Sequence, residues 1–126
     1  MGVSTDAILV FGMQVKDESE DSEKIDTILE EEEGEGGISY DRLLKAEEKT
    51  GASVVWHCSG EHTMYIVGVR VMEARRGYPV AVDPKKLASS EKQTKSDLAA
   101  IEALCDFVGI PFHAKKCKWW LCSYWC

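Results

Sequence analysis

The chain has 126 residues, 44% of them hydrophobic, which is enough for one domain with a modest core and too little for two. No apolar run approaches the ~20 residues of a membrane span, and MGVSTDAILVFGM has no basic residue ahead of its short apolar run, so a soluble, unsecreted protein without a membrane segment is expected. The net charge of −7 conceals an asymmetry: from Asp17 to Glu35 eleven acidic residues stand against Lys24 alone, a local −10, so the remainder of the chain is +3.

Asp6 to Val15 (DAILVFGMQV) reads as a strand, apolar on both faces and therefore central in its sheet. An acidic insert, 16–37, follows. Asp17, Ser19 and Asp21 alternate as in a calcium loop, but the sixth position is Ser22 where glycine is needed and the twelfth is Ile28 where a bidentate glutamate belongs. No metal site is expected there. Composition alone describes a solvated loop. Against that, Ile25, Ile28 and Leu29 are spaced to give a helix over about 22–33 one apolar stripe, with Ser22 as cap and Glu23 in its first turn. Glu30, Glu31, Glu32 and Glu33 lie at the wrong end for the helix dipole, so this helix is marginal alone and expected to order on a cationic surface.

Residues 38–126 supply a helix, a hairpin, a second helix and a C-terminal strand of the same single domain. The first helix, about Tyr40 to Thr50, has Ser39 to cap it, Asp41 in its first turn, Gly51 to close it, and Ile38 with Leu43 as a hydrophobic staple. ASVVWHC and TMYIVGVRVM then form a hairpin around SGEH, with Tyr65, Val67, Val69 and Val71 expected to face the helices. ARRGYP breaks the strand, and VAVDPKKL leads on with a short edge strand at Val80 to Val82. The second helix opens on a capping box, Ser90 with Gln93, carries Leu98, Ile101, Leu104, Cys105 and Val108 on one stripe, and ends at Gly109 and Pro111. CKWWLCSYWC is apolar on both faces and reads as a strand internal to the sheet or covered by a partner. The order β-α-β-β-α-β predicts an α+β, ferredoxin-like sandwich, two helices on one face of a four-stranded antiparallel sheet.

Chemistry-bearing residues are sparse. Cys58, Cys105, Cys117, Cys122 and Cys126 are odd in number and sit in apolar elements, as buried reduced thiols of an intracellular protein would. His57, Cys58 and His62 lack the Cys-x2-Cys pairing of structural zinc sites, and nothing supplies an orienting acid for a Cys58–His62 pair. Trp119, Trp120, Tyr124 and Trp125, preceded by Lys115, Lys116 and Lys118, could stack nucleotide or single-stranded nucleic acid, the bland account being structural tryptophans of an inner strand. Arg75, Arg76 and Tyr78 flank a turn glycine, where an exposed β-turn competes with an anion site.

Three stretches, HCSGEHTMYIVGV, RGYPVAVDPKKL and KWWLCSYW, together resemble a family of small proteins of uncharacterised function found in bacteriophages and prophages. The resemblance spans roughly Trp56 to Trp125 and implies a viral origin, a place in the host cytoplasm and no known activity; the acidic segment is shorter than the insert of those relatives. The expectation is a non-enzymatic, anti-CRISPR-like inhibitor or adaptor, without cofactor or membrane partner, that binds a host defence or nucleic-acid-handling protein with a basic surface. Its contact surface would be Asp17, Glu18, Glu20, Asp21, Glu23, Asp26, Glu30, Glu31, Glu32, Glu33 and Glu35. The alternative is a nucleotide or single-stranded nucleic-acid module using Arg75, Arg76, Tyr78, Lys116, Lys118, Trp119 and Trp120. A homodimer is compatible with either.

Overall fold

β1, Thr5–Gln14, runs through the centre of an open four-stranded antiparallel sheet, where its two apolar faces are both covered. The computed structural model describes residues 5–29, 39–58, 63–88 and 90–125. After β1 come α1 (Glu20–Leu29), α2 (Tyr40–Thr50), β2 (Ser53–Cys58), β3 (Thr63–Ala74), the single turn α3 (Pro84–Leu87), α4 (Glu91–Val108) and β4 (Cys117–Trp125), the last preceded by a 3-10 turn at Ala114–Lys116. The strand order is β2-β3-β1-β4, each neighbour antiparallel. The protein is therefore α+β.

Helix ends follow local chemistry. The Ser39 hydroxyl accepts from the Arg42 amide at 3.3 Å, and Gly51 closes α2 at φ 83°. Ser90 likewise caps α4 through the Gln93 amide at 3.2 Å, while the Gln93 side chain donates to Asp97 at 2.9 Å, making half of the expected capping box. The turn at 59–62 and Ile38 of the expected staple lie outside the described residues.

One core lies between the sheet and the helices. Met13, Val54, Tyr65, Val67 and Val69 meet Ile25 and Ile28 of α1, Leu43 and Ala46 of α2, and Ile101, Leu104, Cys105 and Val108 of α4. Each large aliphatic side chain taken from water there contributes roughly 1.5–3 kcal/mol. α1 is thus a docked part of the fold: its apolar stripe is turned inward and is not free to meet a partner.

Four expectations are corrected here. α1 starts at Glu20, with Ser22 buried inside it and the Ser19 hydroxyl accepting from the Ser22 amide at 3.2 Å, so Ser19 and not Ser22 caps the helix. Val71 does not follow Tyr65, Val67 and Val69 toward the helices, because β3 bulges at Arg70, whose φ is 56°, and the pairing with β1 shifts between Leu9 and Phe11. Arg70 instead pairs with the buried carboxylate of Asp97 at 3.1 Å, so the bulge aims a cation at α4. Val80 to Val82 form no strand; they are exposed chain leading into α3, whose cap is Asp83. β4 is an edge strand and not an internal one, with Leu121 78% exposed.

A second cluster, Ile8, Val10, Val55 and Ile66 with Trp120 and Cys122 against it, fills the opposite face. Among the described residues no helix packs against it. The sheet curls over it instead, so that β2 and β4, at opposite ends of the strand order, approach within 8 Å between Cα atoms. Gly12 faces Gly68 at the bend: a Cβ on Gly12 would lie 2.2 Å from the Val67 carbonyl oxygen, an approach that only glycine allows.

Candidate functional site

The acidic residues fall into three groups. Asp17 and Glu18 occupy the turn between β1 and α1, and Glu20, Asp21 and Glu23 the first turn of α1, where carboxylates suit the positive end of the helix dipole. Asp26 is committed internally, accepting from the Tyr65 hydroxyl. Glu30, Glu31, Glu32, Glu33 and Glu35 lie outside the described residues. Because Ile25 and Ile28 are 0% and 4% exposed, α1 is fixed in rotation with Glu20 and Glu23 facing solvent, and Glu18 is exposed in the turn that leads into it. The Lys24 ammonium donates to the Gly109 carbonyl at 2.8 Å, tying α1 to the end of α4.

Beside this acidic flank lies a cleft of about 500 Å³ of opposite character. Antiparallel pairing sets Met13 opposite Cys117, so the end of β1 meets the start of β4 and Lys16 joins Lys115, Lys116 and Lys118 around it. Exposed His113 and half-buried Trp120 complete the basic and aromatic wall, while Ser19 and Asp21 bring in the start of α1. Trp120 is oriented by its indole N–H, which donates to the Gly12 carbonyl at 2.9 Å.

The seven residues of the alternative binding set are not one site. Lys116, Lys118 and Trp120 share the cleft. Trp119, next in sequence to Trp120, points to the other face, edge-on to Phe11 with ring centroids 5.6 Å apart. Arg75, Arg76 and Tyr78 stand at the far end of the sheet in a shallow hollow of about 420 Å³, where the Arg76 amide donates to Asp6 at 3.4 Å. Lys16, Ser19 and His113 were not singled out by sequence; the legible signal was the pairing of two apolar strands, which carries Lys16 to the Lys115–Lys118 run.

The described thiols, Cys105, Cys117 and Cys122, are placed for packing. Burial pushes the Cys105 thiol up from 9.0 to about 12, with Cys117 and the carboxylates of Asp106, Glu102 and Asp21 adding to the effect, and burial raises Cys117 and Cys122 as well. Such groups are poor nucleophiles at neutral pH. His57 is buried with its Nε2 lacking a hydrogen-bond partner, and burial lowers its pKa below 6.5 against the opposing pull of Asp17. His62 lies outside the described residues, and among the described residues no three His, Cys, Asp or Glu side chains gather to hold a metal ion.

These shifts give a pH dependence with a definite sign. Above about 9 the unfolded chain releases a Cys105 proton that the fold retains, so stability falls as pH rises from about 9 toward 12. Below 6.5 the unfolded chain takes up a His57 proton that the fold resists, so stability also falls on the acid side. Urea midpoints across pH should form a plateau between these limbs. Cys105→Ala should flatten the alkaline limb and His57→Gln the acid one; limbs unchanged in both variants would reject the assignment.

No described helix is long and apolar enough to cross a membrane. No family model, no curated protein and no solved structure matches this chain.

Proposed function

We propose that this protein is a non-enzymatic binding module, a phage-type inhibitor or adaptor that engages a basic surface of a host defence or nucleic-acid-handling protein in the host cytoplasm. The observation that carries this reading is the docking of α1 through Ile25 and Ile28, which holds Glu20 and Glu23 outward on a fixed support, with Glu18 exposed in the turn just before it. Carboxylates held in this way repel one another before any partner arrives and gain most from a cationic groove, so they speed encounter and exclude acidic competitors. The resemblance to phage and prophage proteins over Trp56 to Trp125 supplies the host context. Within the fold, the order β2-β3-β1-β4 with α2 and α4 in the crossing connections supports a ferredoxin-like sandwich elaborated by α1 and α3.

The test compares the wild-type chain with Glu18→Gln/Glu20→Gln/Glu23→Gln as baits in host lysate. A basic protein should be retained by the wild type, released as salt rises, and bound at least about tenfold more weakly by the triple variant. Equal capture by both baits, or capture indifferent to salt, would overturn the acidic surface.

A second reading, a nucleotide or single-stranded nucleic-acid module, is favoured by one observation: Lys116, Lys118 and Trp120 come together with Lys16, Lys115 and His113 in one cleft. Under this reading Trp119, Arg75, Arg76 and Tyr78 are not part of the site.

A further inference from the structure

We infer that the lysine-lined cleft is a site for a nucleoside phosphate of mononucleotide size; this rests on the second reading and names its ligand. Three features point to that class together. The cleft is lined by four lysines, Lys16, Lys115, Lys116 and Lys118, against one carboxylate among the described residues, that of Asp21. Four cations from two strand ends and a turn repel one another, and a phosphate group bound among them relieves that repulsion. Trp120 also lines it, half-buried against the second cluster and with its indole N–H committed to the Gly12 carbonyl, so what it brings to the cleft is apolar aromatic surface, against which a base can pack. The volume of about 500 Å³ lies within the range of small-molecule pockets.

Charge around the cleft decides the size of the ligand. A polymer leaving on the α1 side would run its phosphates past Glu18 and Glu20, both exposed and on either side of Ser19 in the cleft wall. Like charges there oppose the many phosphates of a long strand more than the few of a single nucleotide. Glu18 and Glu20 therefore act as a length filter on the basic cleft.

The test is a fluorescence titration of the intact chain with ADP in the absence of metal, with adenosine, inorganic phosphate and the oligonucleotide dT12 as parallel probes. ADP should quench tryptophan emission with a dissociation constant on the order of 10–100 µM. Adenosine, which has no phosphate, should bind at least about tenfold more weakly, and inorganic phosphate should displace ADP at millimolar concentration. Lys115→Gln/Lys116→Gln changes two exposed side chains, so the fold persists while ADP affinity should drop about tenfold or more. Trp120→Phe should remove most of the quench with a smaller change in affinity measured by calorimetry. ADP affinity untouched by the lysine changes overturns the inference. So does dT12 binding tighter than ADP, although that outcome leaves the second reading standing; no response to either ligand removes both.

Discussion

Replacing Gly12 with alanine is expected to cost the fold about 3 kcal/mol or more, a large share of the ~5–15 kcal/mol that a domain commands. The new methyl carbon would lie 2.2 Å from the Val67 carbonyl oxygen and 2.6 Å from the Gly68 Cα. Both are backbone atoms of the paired strand, so no side-chain rotation relieves the clash. Relief requires β1 and β3 to separate at the bend, which flattens the curl and uncovers Ile8, Val10, Val55 and Ile66. Gly51 is the control, since a Cβ there meets nothing within 4 Å and the penalty is the conformational one of φ 83°, about 1 kcal/mol. Urea unfolding of both alanine variants measures the difference. Equal losses would mean that the close approach does not govern the fold.

Ile25→Ala should destabilise by about 2–4 kcal/mol through the vacated volume in a fully buried position. α1 has ten residues, too few to persist in water without its packed face. The variant should therefore lose helical circular dichroism at temperatures where the rest of the domain survives, and with it the fixed placement of Glu20 and Glu23. Thr27, on the exposed side of the same helix, should tolerate alanine within about 0.5 kcal/mol. Hydrogen exchange gives a direct reading in the unmodified protein: amides at 25–29 should be protected. Exchange there at the rate of an unstructured chain would restore the sequence expectation of a weakly ordered segment.

Composition suggested a segment that orders only on a partner because ten net negative charges within ~20 residues dominate any local view of it. The fold settles residues 20–29 differently. Ile25 and Ile28, inside a segment that composition alone describes as solvated, become core side chains once α2, α4 and β3 offer a surface, and Tyr65 reaches back to hold Asp26. The stripe was legible; that it turns inward was not.

What the sequence by itself determined lies within a few residues of its cause. Ser39, Gly51, Ser90 and Gly109 end their helices through hydrogen bonds that span four positions or fewer, and the apolar runs of β1 and β3 make strands wherever they are placed. Tertiary structure alone decided the bulge at Arg70, which sets an arginine against Asp97 and turns Val71 the other way, because a strand of alternating residues does not announce where its partner's register will break. It also decided that β4, apolar on both faces, takes an edge, and that Lys16 meets Lys118 across the chain. Side-chain period and capping are properties of neighbouring peptides, whereas strand partners and clefts are chosen by which distant surfaces bury the most apolar area together, a quantity that no local window contains.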